Sequence, residues 1–279
     1  LWAMQVALEH VNSKNCTFVK GCDALLAVRD LSPTGHVQIA PNIFETHGLP
    51  DVGIMQAMTC IRDTAPAAVL GITLSSATTI VAPLLAYQSI PLVGHSATSV
   101  ELSDSQFHSM FVRTVPSDGM TAGVMAQLVE HFGWREVGIL YIADTYGSHF
   151  QNVMSKWFSE VGILTHAHGF RRGADEATQM RQALGAIAST GVIPVIIVIH
   201  TSQGQAMVDS LMELDMPGNF VFLLPEGSFM RELTPAQSKA LEGSLTLQLE
   251  YSGGSTTPGH SLSEVLVTDG WTEERLGEG

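Results

Sequence analysis

The strongest constraint on the fold is an alternation of uninterrupted apolar runs and helical patterns that repeats along nearly the whole chain. The clearest runs, residues 67–72, 137–142 and 192–199, are short and apolar at almost every position. Such composition is typical of strands buried on both faces, which belong to parallel sheets covered by helices. Between the runs lie helical patterns such as residues 122–132, which Gly133 follows in the place of a helix stop. The sequence therefore predicts an α/β protein with mostly parallel sheets sandwiched by helices.

The alternation is interrupted near residues 114–118 and again near residues 225–237. A chain of 279 residues is long enough for two domains of ordinary size. We therefore predict two α/β lobes joined by more than one crossover: lobe one from residues 1–115, lobe two from residues 116–237, and an incomplete return to lobe one in residues 238–279. The chain opens directly on a helical pattern and ends abruptly, so we expect it to be truncated at both ends.

Composition limits the classes of partner. Hydrophobic residues make up 45% of the chain and charged residues 14%, which is enough apolar surface for a sizeable core. Asp and Glu outnumber Lys and Arg by 27 to 13, and this balance argues against nucleic acid, whose phosphates require basic residues. No apolar run has the length of a membrane span, so we expect membrane attachment only through segments outside this sequence.

Motifs for enzyme chemistry are missing from the sequence. There is no nucleophile elbow, phosphate-binding loop, dinucleotide fingerprint, zinc-protease motif or Cys-x-x-Cys pair. His95 and Ser96 are adjacent, and adjacent residues of an extended chain point to opposite sides. We therefore predict a protein that is not an enzyme, with no cofactor and no metal site. Cys16 and Cys22 are close enough to form a small loop, and Cys60 is expected to be buried in a helix.

Polar residues follow the carboxyl ends of several predicted strands, which is where open α/β sheets bind small ligands. Ser75 begins a helical pattern, so its hydroxyl and the free N–H groups behind it suit a carboxylate; the alternative is a plain helix cap. Asp118 and Glu226 suit an ammonium group, and the ring of Tyr146 suits the same cation. The alternatives for these three are solvated surface acids and a half-buried tyrosine. The full candidate set for a small zwitterion is Ser75, Ser76, Ser96, Ala97, Thr98, Asp118, Tyr146 and Glu226.

Several of these residues stand in motifs that resemble the ligand-binding region of class C G-protein-coupled receptors, above all the metabotropic glutamate receptors. The resemblance extends to about residue 250 and implies a two-lobed "Venus flytrap" of the type I periplasmic-binding-protein kind. The matching motifs are Leu74-Ser75-Ser76, the block from Ser96 to Asp104, the block from Phe111 to Asp118, Gly133-Trp134 and Thr145-Tyr146-Gly147.

The resemblance also implies roles for individual residues. Ser75 is similar to the serine that holds the α-carboxylate of an amino acid. Ser96 and Thr98 match positions that meet the α-carboxylate and the α-amino group. Asp118 and Tyr146 match positions on the α-amino side. Glu226 stands where the family usually has Asp.

One part of the family pattern is absent. The basic residues that grip a glutamate side chain are not identifiable, since residues 28–35 offer only Arg29 and the chain ends before the family's late lysine. A small amino acid or a related compound is therefore the predicted ligand, rather than glutamate in particular.

These features together predict the extracellular ligand-binding domain of a cell-surface receptor, which signals when its lobes close on the ligand. The resemblance implies a homodimer or heterodimer through lobe one, with helices such as residues 77–87 at the interface. The alternatives are a soluble amino-acid-binding protein of an ABC transporter and the ectodomain of a receptor guanylyl cyclase or an ionotropic-receptor-like protein.

Overall fold

A computed structural model of the chain describes residues 8–9, 12–13, 39–47, 49–225 and 234–247. The predicted strand at residues 24–28 lies outside the described residues, as do Cys16, Cys22 and Glu226. By contact density the chain divides into two compact units, residues 1–43 with 250–279, and residues 44–249. All helices and strands discussed below belong to the second unit.

Two groups of elements follow one another along the second unit. The first group consists of α1 (Pro50–Thr64), β1 (Val69–Leu70), α2 (Ser75–Tyr87), β2 (Leu92–Gly94) and β3 (Phe111–Arg113). The second group consists of α3 (Asp118–His131), β4 (Glu136–Ile142), α4 (Thr145–Glu160), β5 (Leu164–Phe170), α5 (Glu176–Ser189), β6 (Pro194–Val198), α6 (Gly204–Glu213), β7 (Val221–Leu224), α7 (Pro235–Ala240) and β8 (Leu245–Thr246). Short 3₁₀ turns occupy Val100–Ser103 and Thr201–Gln203.

The strands form two separate sheets. One sheet has three strands in the order β1-β2-β3, and the other has five in the order β5-β4-β6-β7-β8. Every pairing between described strands is parallel. The predicted α/β class with parallel sheets is therefore confirmed.

The five-stranded sheet is covered by helices on both faces, as its apolar strands require. All five residues of the central strand β6 are buried. Their side chains alternate between the two faces: Val195 and Ile197 pack in a cluster with residues of α5 and α6, while Ile196 and Val198 pack in a cluster with residues of α3 and α4. An uninterrupted apolar run in the sequence thus corresponds to a strand with no solvent-facing side.

The three-stranded sheet is covered by α1 and α2. Val81 and Leu85 of α2 are fully buried and form a small core with Leu92 of β2, against which Ile54 of α1 and Val69 of β1 pack. This arrangement fixes the amino end of α2 next to the carboxyl ends of β1 and β2.

The strand β1 differs from the prediction in its length. The apolar run at residues 67–72 forms a strand only at Val69–Leu70, because Gly71 and Ile72 adopt positive φ angles of 125° and 57° and turn the chain away. Pro83 lies inside α2, which begins eight residues before it and ends at Tyr87.

The last described strand bears on the predicted domain boundaries. β8 pairs with β7, so residues 245–246 extend the five-stranded sheet. We therefore propose that lobe two extends through residue 247 instead of ending at residue 237. None of the described helices is both long enough and apolar enough to cross a membrane.

Candidate ligand-binding site

Ser75 is the first residue of α2, and its environment differs from that of a helix cap. The cap position is Leu74, which makes no side-chain capping bond. Ser75 is only 4% exposed, and its Oγ accepts a hydrogen bond of 3.3 Å from the backbone N–H of Ser99. The hydroxyl therefore connects the start of α2 to the loop after β2. Ser76, the next residue, is half-buried in the first turn, where a helix has N–H groups without a carbonyl partner of its own.

The loop that delivers Ser75 is held in an uncommon conformation. Ile72 has a φ of 57°, a region that β-branched residues rarely adopt. The hydroxyl of the buried Thr78 donates to the carbonyl of Ile72 at 3.1 Å and to that of Leu74 at 2.9 Å. This side chain therefore anchors the loop from within the helix that follows.

The loop after β2 is fixed by Arg113 at the end of β3. Its guanidinium donates to the carbonyls of Thr98 at 3.2 Å and Ser99 at 2.9 Å, and also to the hydroxyl of Ser103. Ser96 and Thr98 are half-buried, whereas Ala97 has no exposed surface. In this conformation Ser96 and Thr98 are the accessible members of the predicted loop.

Asp118 begins α3 and is 4% exposed. Its N–H donates to the carbonyl of Thr98 at 2.9 Å, and its carboxylate shares a side-chain hydrogen bond with Thr98. Its Oδ2 is buried and has no hydrogen-bond partner among the described residues. Burial raises the pKa of this carboxyl to about 7, against the opposing effects of the Thr98 bond and the charge of Arg113. The protein thus maintains a buried carboxyl group with an unused acceptor.

Tyr146 lies in the first turn of α4, beside the helix cap Asp144 and the ring of His200. Asp144 caps this helix, with its Oδ1 accepting from the N–H of Gly147 at 2.9 Å and its Oδ2 lying 2.7 Å from Nε2 of His200. The rings of Tyr146 and His200 are 5.2 Å apart between centroids. Burial alone would raise the pKa of Asp144, but the hydrogen bonds from His200 and Gly147 outweigh it and lower that pKa.

Asp118 and Tyr146 come from different parts of the sequence, and the charge of Asp118 acts on the hydroxyl of Tyr146. Burial raises the pKa of the Tyr146 hydroxyl, and the negative charges of Asp118 and Asp144 raise it further. The phenol therefore stays protonated and can donate a hydrogen bond to an anion or an acceptor. Ser75 is thus bonded to Ser99, the neighbour of Thr98, and Thr98 is bonded to Asp118. The charge of Asp118 in turn raises the pKa of Tyr146.

Sequence reasoning missed several side chains that build this region: Ser99, Arg113, Asp144, His149 and His200. Ser99 lies in the block from Ser96 to Asp104, and Arg113 lies in the block from Phe111 to Asp118. Their closeness in sequence to the candidate residues is the signal that could have indicated them. No sequence signal could pair Asp144 with His200 or Ser99 with His149, because these partners are 56 and 50 positions apart. The structure describes the surroundings of every predicted site residue except Glu226.

The arrangement suits binding of a small polar molecule. It combines hydroxyls, first-turn N–H groups, a buried carboxyl and a phenol at the carboxyl ends of parallel strands, the usual ligand position in such sheets. In the part of the chain that the structure describes, no group of three or more His, Cys, Asp or Glu side chains could hold a metal ion. Fold and site together define a periplasmic-binding-protein-like ligand-binding module.

Comparison with known proteins identifies the family of this module. The family model described as "Receptor family ligand binding region" matches residues 2–275, so the chain belongs to this receptor family. The predicted resemblance to class C receptor ligand-binding domains is thereby confirmed.

Individual relatives share modest identity with the chain. It is 25% identical to rabbit (Oryctolagus cuniculus) metabotropic glutamate receptor 6 over 201 residues, 72% of this chain and 20% of that receptor. It is 40% identical to the human extracellular calcium-sensing receptor over 80 residues, 29% of this chain and 7% of that receptor. It is 24% identical to glutamate [NMDA] receptor subunit 1 of Drosophila willistoni over 186 residues, 65% of this chain and 18% of that subunit. The matches span a fifth or less of these relatives, all of which are named as receptors.

Proposed function

We propose that the chain is the extracellular ligand-binding domain of a cell-surface receptor, that it binds a small α-amino acid or a related zwitterion, and that the bound ligand draws two lobes together. Lobe one is the part built on the three-stranded sheet, and lobe two is the part built on the five-stranded sheet. Contacts that the ligand makes only in the closed state shift the open–closed equilibrium, and a few kcal/mol of such contacts invert the populations.

The observation that carries this proposal is that the carboxyl group of Asp118 is buried and has an oxygen without a hydrogen-bond partner among the described residues. A buried carboxyl with an unpaired Oδ2 is costly unless a partner completes it. An ammonium group supplies both the opposite charge and the missing donor. The charge of Asp118 raises the pKa of the Tyr146 hydroxyl, and the ring of Tyr146 offers an aromatic face to the same cation. Glu226 keeps its predicted ammonium role as a proposal from the sequence alone.

The opposite end of the ligand is assigned to lobe one. A carboxylate near Ser75 would accept from its hydroxyl and from the first-turn N–H groups of α2, where the helix dipole favours negative charge. Ser96 supplies a further hydroxyl from the neighbouring loop, and Thr98, whose side chain bonds to Asp118, lies between the two ends of the ligand. Two chemically different ends, one suited to an anion and one to a cation, favour a zwitterion over a simple acid or amine.

The receptor function is favoured over the transport alternative by the relatives, since the three described above are all named as receptors. Ectodomains of receptor guanylyl cyclases and ionotropic-receptor-like proteins would share this fold, and a longer sequence that includes the following domains distinguishes them. We place the domain on the extracellular side of the cell membrane.

A thermal-shift screen of the twenty amino acids and γ-aminobutyrate tests the proposal, because a ligand that binds only the native state raises the melting temperature. For a hit, we expect Ser75→Ala and Thr98→Ala each to weaken binding about tenfold, the effect of one lost hydrogen bond to a charged group. Isothermal calorimetry measures the change. Ser189→Ala and Thr190→Ala, which remove hydroxyls at the end of α5, serve as controls and should leave affinity unchanged. Parental affinity in both site variants would contradict the assignment.

We also propose a dimer through the outer surface of α1 and α2. Five large apolar side chains of these helices are exposed, although the helices cover the core of their sheet on the other side. The five are Met55, Met58, Ile80, Leu84 and Tyr87. Exposed apolar side chains on two helices that pack together favour a protein–protein contact, and we call these five residues the apolar patch.

Leu84→Arg is expected to convert such a dimer to monomers, because it places a charge within the apolar patch. Analytical ultracentrifugation over a range of protein concentrations measures the change. Met212→Arg is the matched control, since both side chains are 41% exposed on helices and Met212 lies on α6, outside the patch. A parental sedimentation profile for Leu84→Arg would exclude this surface.

A further inference from the structure

One side-chain contact joins the two sheet layers next to the candidate site. Nδ1 of His149 lies 2.8 Å from Oγ of Ser99 and 3.4 Å from Oε2 of Glu101. His149 belongs to the second turn of α4, which packs on the five-stranded sheet, whereas Ser99 and Glu101 follow β2 of the three-stranded sheet. The helix α4 also contacts α2 and the turn at Val100–Ser103. The His149 contact therefore bridges elements that belong to different lobes in the proposed function.

The partner of His149 is rigidly held. Ser99 has no exposed surface; its N–H donates to Ser75, and its carbonyl accepts from Arg113 at 2.9 Å. Its hydroxyl also accepts from the N–H of Glu101 at 3.4 Å. Because these bonds fix the position of Ser99, the imidazole meets a preformed site rather than a mobile side chain.

The same three residue types occur in catalytic triads, and the geometry argues against that role. In a triad, one imidazole nitrogen faces the nucleophile while the other is oriented by the acid. Here Ser99 and Glu101 both approach Nδ1, so the acid cannot orient the ring for proton transfer from the serine. The arrangement serves attachment rather than chemistry.

We propose that His149 is an interlobe latch that stabilises the closed arrangement of the two lobes by bonding to Ser99 and Glu101. The inference rests on the proposed two-lobed function and adds a positioning residue to it. When the lobes separate, the imidazole loses both partners, and the hydroxyl of Ser99 keeps only the 3.4 Å bond from the N–H of Glu101. His149 lies one helical turn after Tyr146, so the latch and the candidate cation-facing ring are carried by the same helix.

The latch also connects closure to the ligand end in lobe one. Ser75, the candidate carboxylate contact, shares a hydrogen bond with Ser99, which in turn bonds to His149. A ligand at Ser75 and the imidazole of His149 are therefore connected through the same fixed residue, and both favour the closed arrangement. His149 influences affinity in this way without being assigned a contact to the ligand.

Single-molecule fluorescence energy transfer tests the latch, with one dye at Asp63 at the end of α1 and the other at Met212 on α6. We expect His149→Ala to raise the population of the longer-distance state in the ligand-free protein. For an amino acid found in the screen, we expect affinity to weaken about fivefold to thirtyfold, the effect of losing a part-buried hydrogen bond and a contact with a carboxylate. Ser99→Ala should act similarly, and the double variant should be little worse than either single variant.

Two further variants separate the latch from a structural effect. His149→Asn keeps a polar group near the position of Nδ1 and should restore part of the closed population. If His149→Ala folds poorly, the comparison of His149→Asn with the parent protein still tests the latch. His166→Ala removes a histidine whose Nε2 lies 2.9 Å from Oε2 of Glu136 within the five-stranded sheet, and it should leave both measurements at parental values.

A distance distribution that is the same in His149→Ala and the parent protein would overturn the latch, whatever happens to affinity. Failure of every amino acid to bind would count against the proposed ligand only, because the ligand-free distribution still reports on His149.

Discussion

Asp118→Asn is expected to make the ligand-free protein more stable at pH 8 while reducing affinity for an amino acid by about a hundredfold or more. The loss of affinity follows because the substitution removes the charge that faces the ammonium group, a loss of about 3 kcal/mol for a buried pair. The gain in stability follows because burial disfavours the ionised carboxyl. Calorimetry measures affinity, and thermal denaturation measures stability.

The pH dependence of stability follows from the same group. Its pKa is raised from 3.8 to about 7 in the folded protein, so between these values the folded state retains a proton that the unfolded state has lost. The contribution of Asp118 to the free energy of unfolding is therefore fully present below pH 3.8 and falls as the pH rises through this window. Above about pH 7 this contribution, which is at most about 4 kcal/mol, is lost. The parent and the Asn variant should consequently differ in melting temperature at pH 8 and converge below pH 4.

Asp144 supplies a control of opposite sign. Its pKa is lowered in the folded state, since hydrogen bonds from His200 and Gly147 outweigh burial. Its contribution to stability is therefore present above the unfolded pKa and lost as the pH falls through the folded one. Asp144→Asn should destabilise the protein at neutral pH.

A destabilised Asp118→Asn variant at pH 8, or one with parental affinity, would contradict the role assigned to Asp118.

The second large effect is expected at Gly147. Gly147→Ala should lower the free energy of unfolding by more than about 4 kcal/mol, a loss that only severe changes such as a backbone clash produce. A Cβ at this position would lie 1.9 Å from the carbonyl oxygen of Ile142 and 2.9 Å from its carbonyl carbon. Because these are backbone atoms, α4 would have to move away from β4, and Tyr146 would move with it. Urea denaturation measures the change in the free energy of unfolding.

Gly185 on α5 provides the matched control for this substitution. A Cβ there would meet nothing within 4 Å, so Gly185→Ala should stabilise the protein by about 0.5–1 kcal/mol through the higher helix propensity of alanine. A Gly147→Ala variant as stable as the parent would show that the close approach of α4 to Ile142 is not required.

Sequence reasoning located most elements because their apolar patterns are local. The apolar run at residues 137–142 corresponds to β4, which begins only one residue earlier, at Glu136. The strand β1 was predicted too long, since hydropathy carries no information about the positive φ of Ile72. Patterns of apolar residues indicate which segments are buried and say little about where a backbone turns.

The candidate site was predictable only in part. Ser75, Thr98 and Asp118 stand at the ends of apolar runs, so the sequence could indicate them one at a time. The sequence could not indicate that Asp118 has an unpaired oxygen or that Ala97 is fully enclosed, because both depend on the packing of elements distant in sequence. The contact between His149 and Ser99 depends on tertiary packing in the same way.

The helix α2 has a mechanical consequence. Ser75 and Tyr87 are its first and last residues, so they lie about 18 Å apart along one rod at 1.5 Å per residue. A rotation of about 5° about the Ser75 end would carry the exposed ring of Tyr87 by about 1.5 Å. A ligand bound at the first residue of α2 and a neighbouring subunit that contacts the last one would thus influence each other through a single helix.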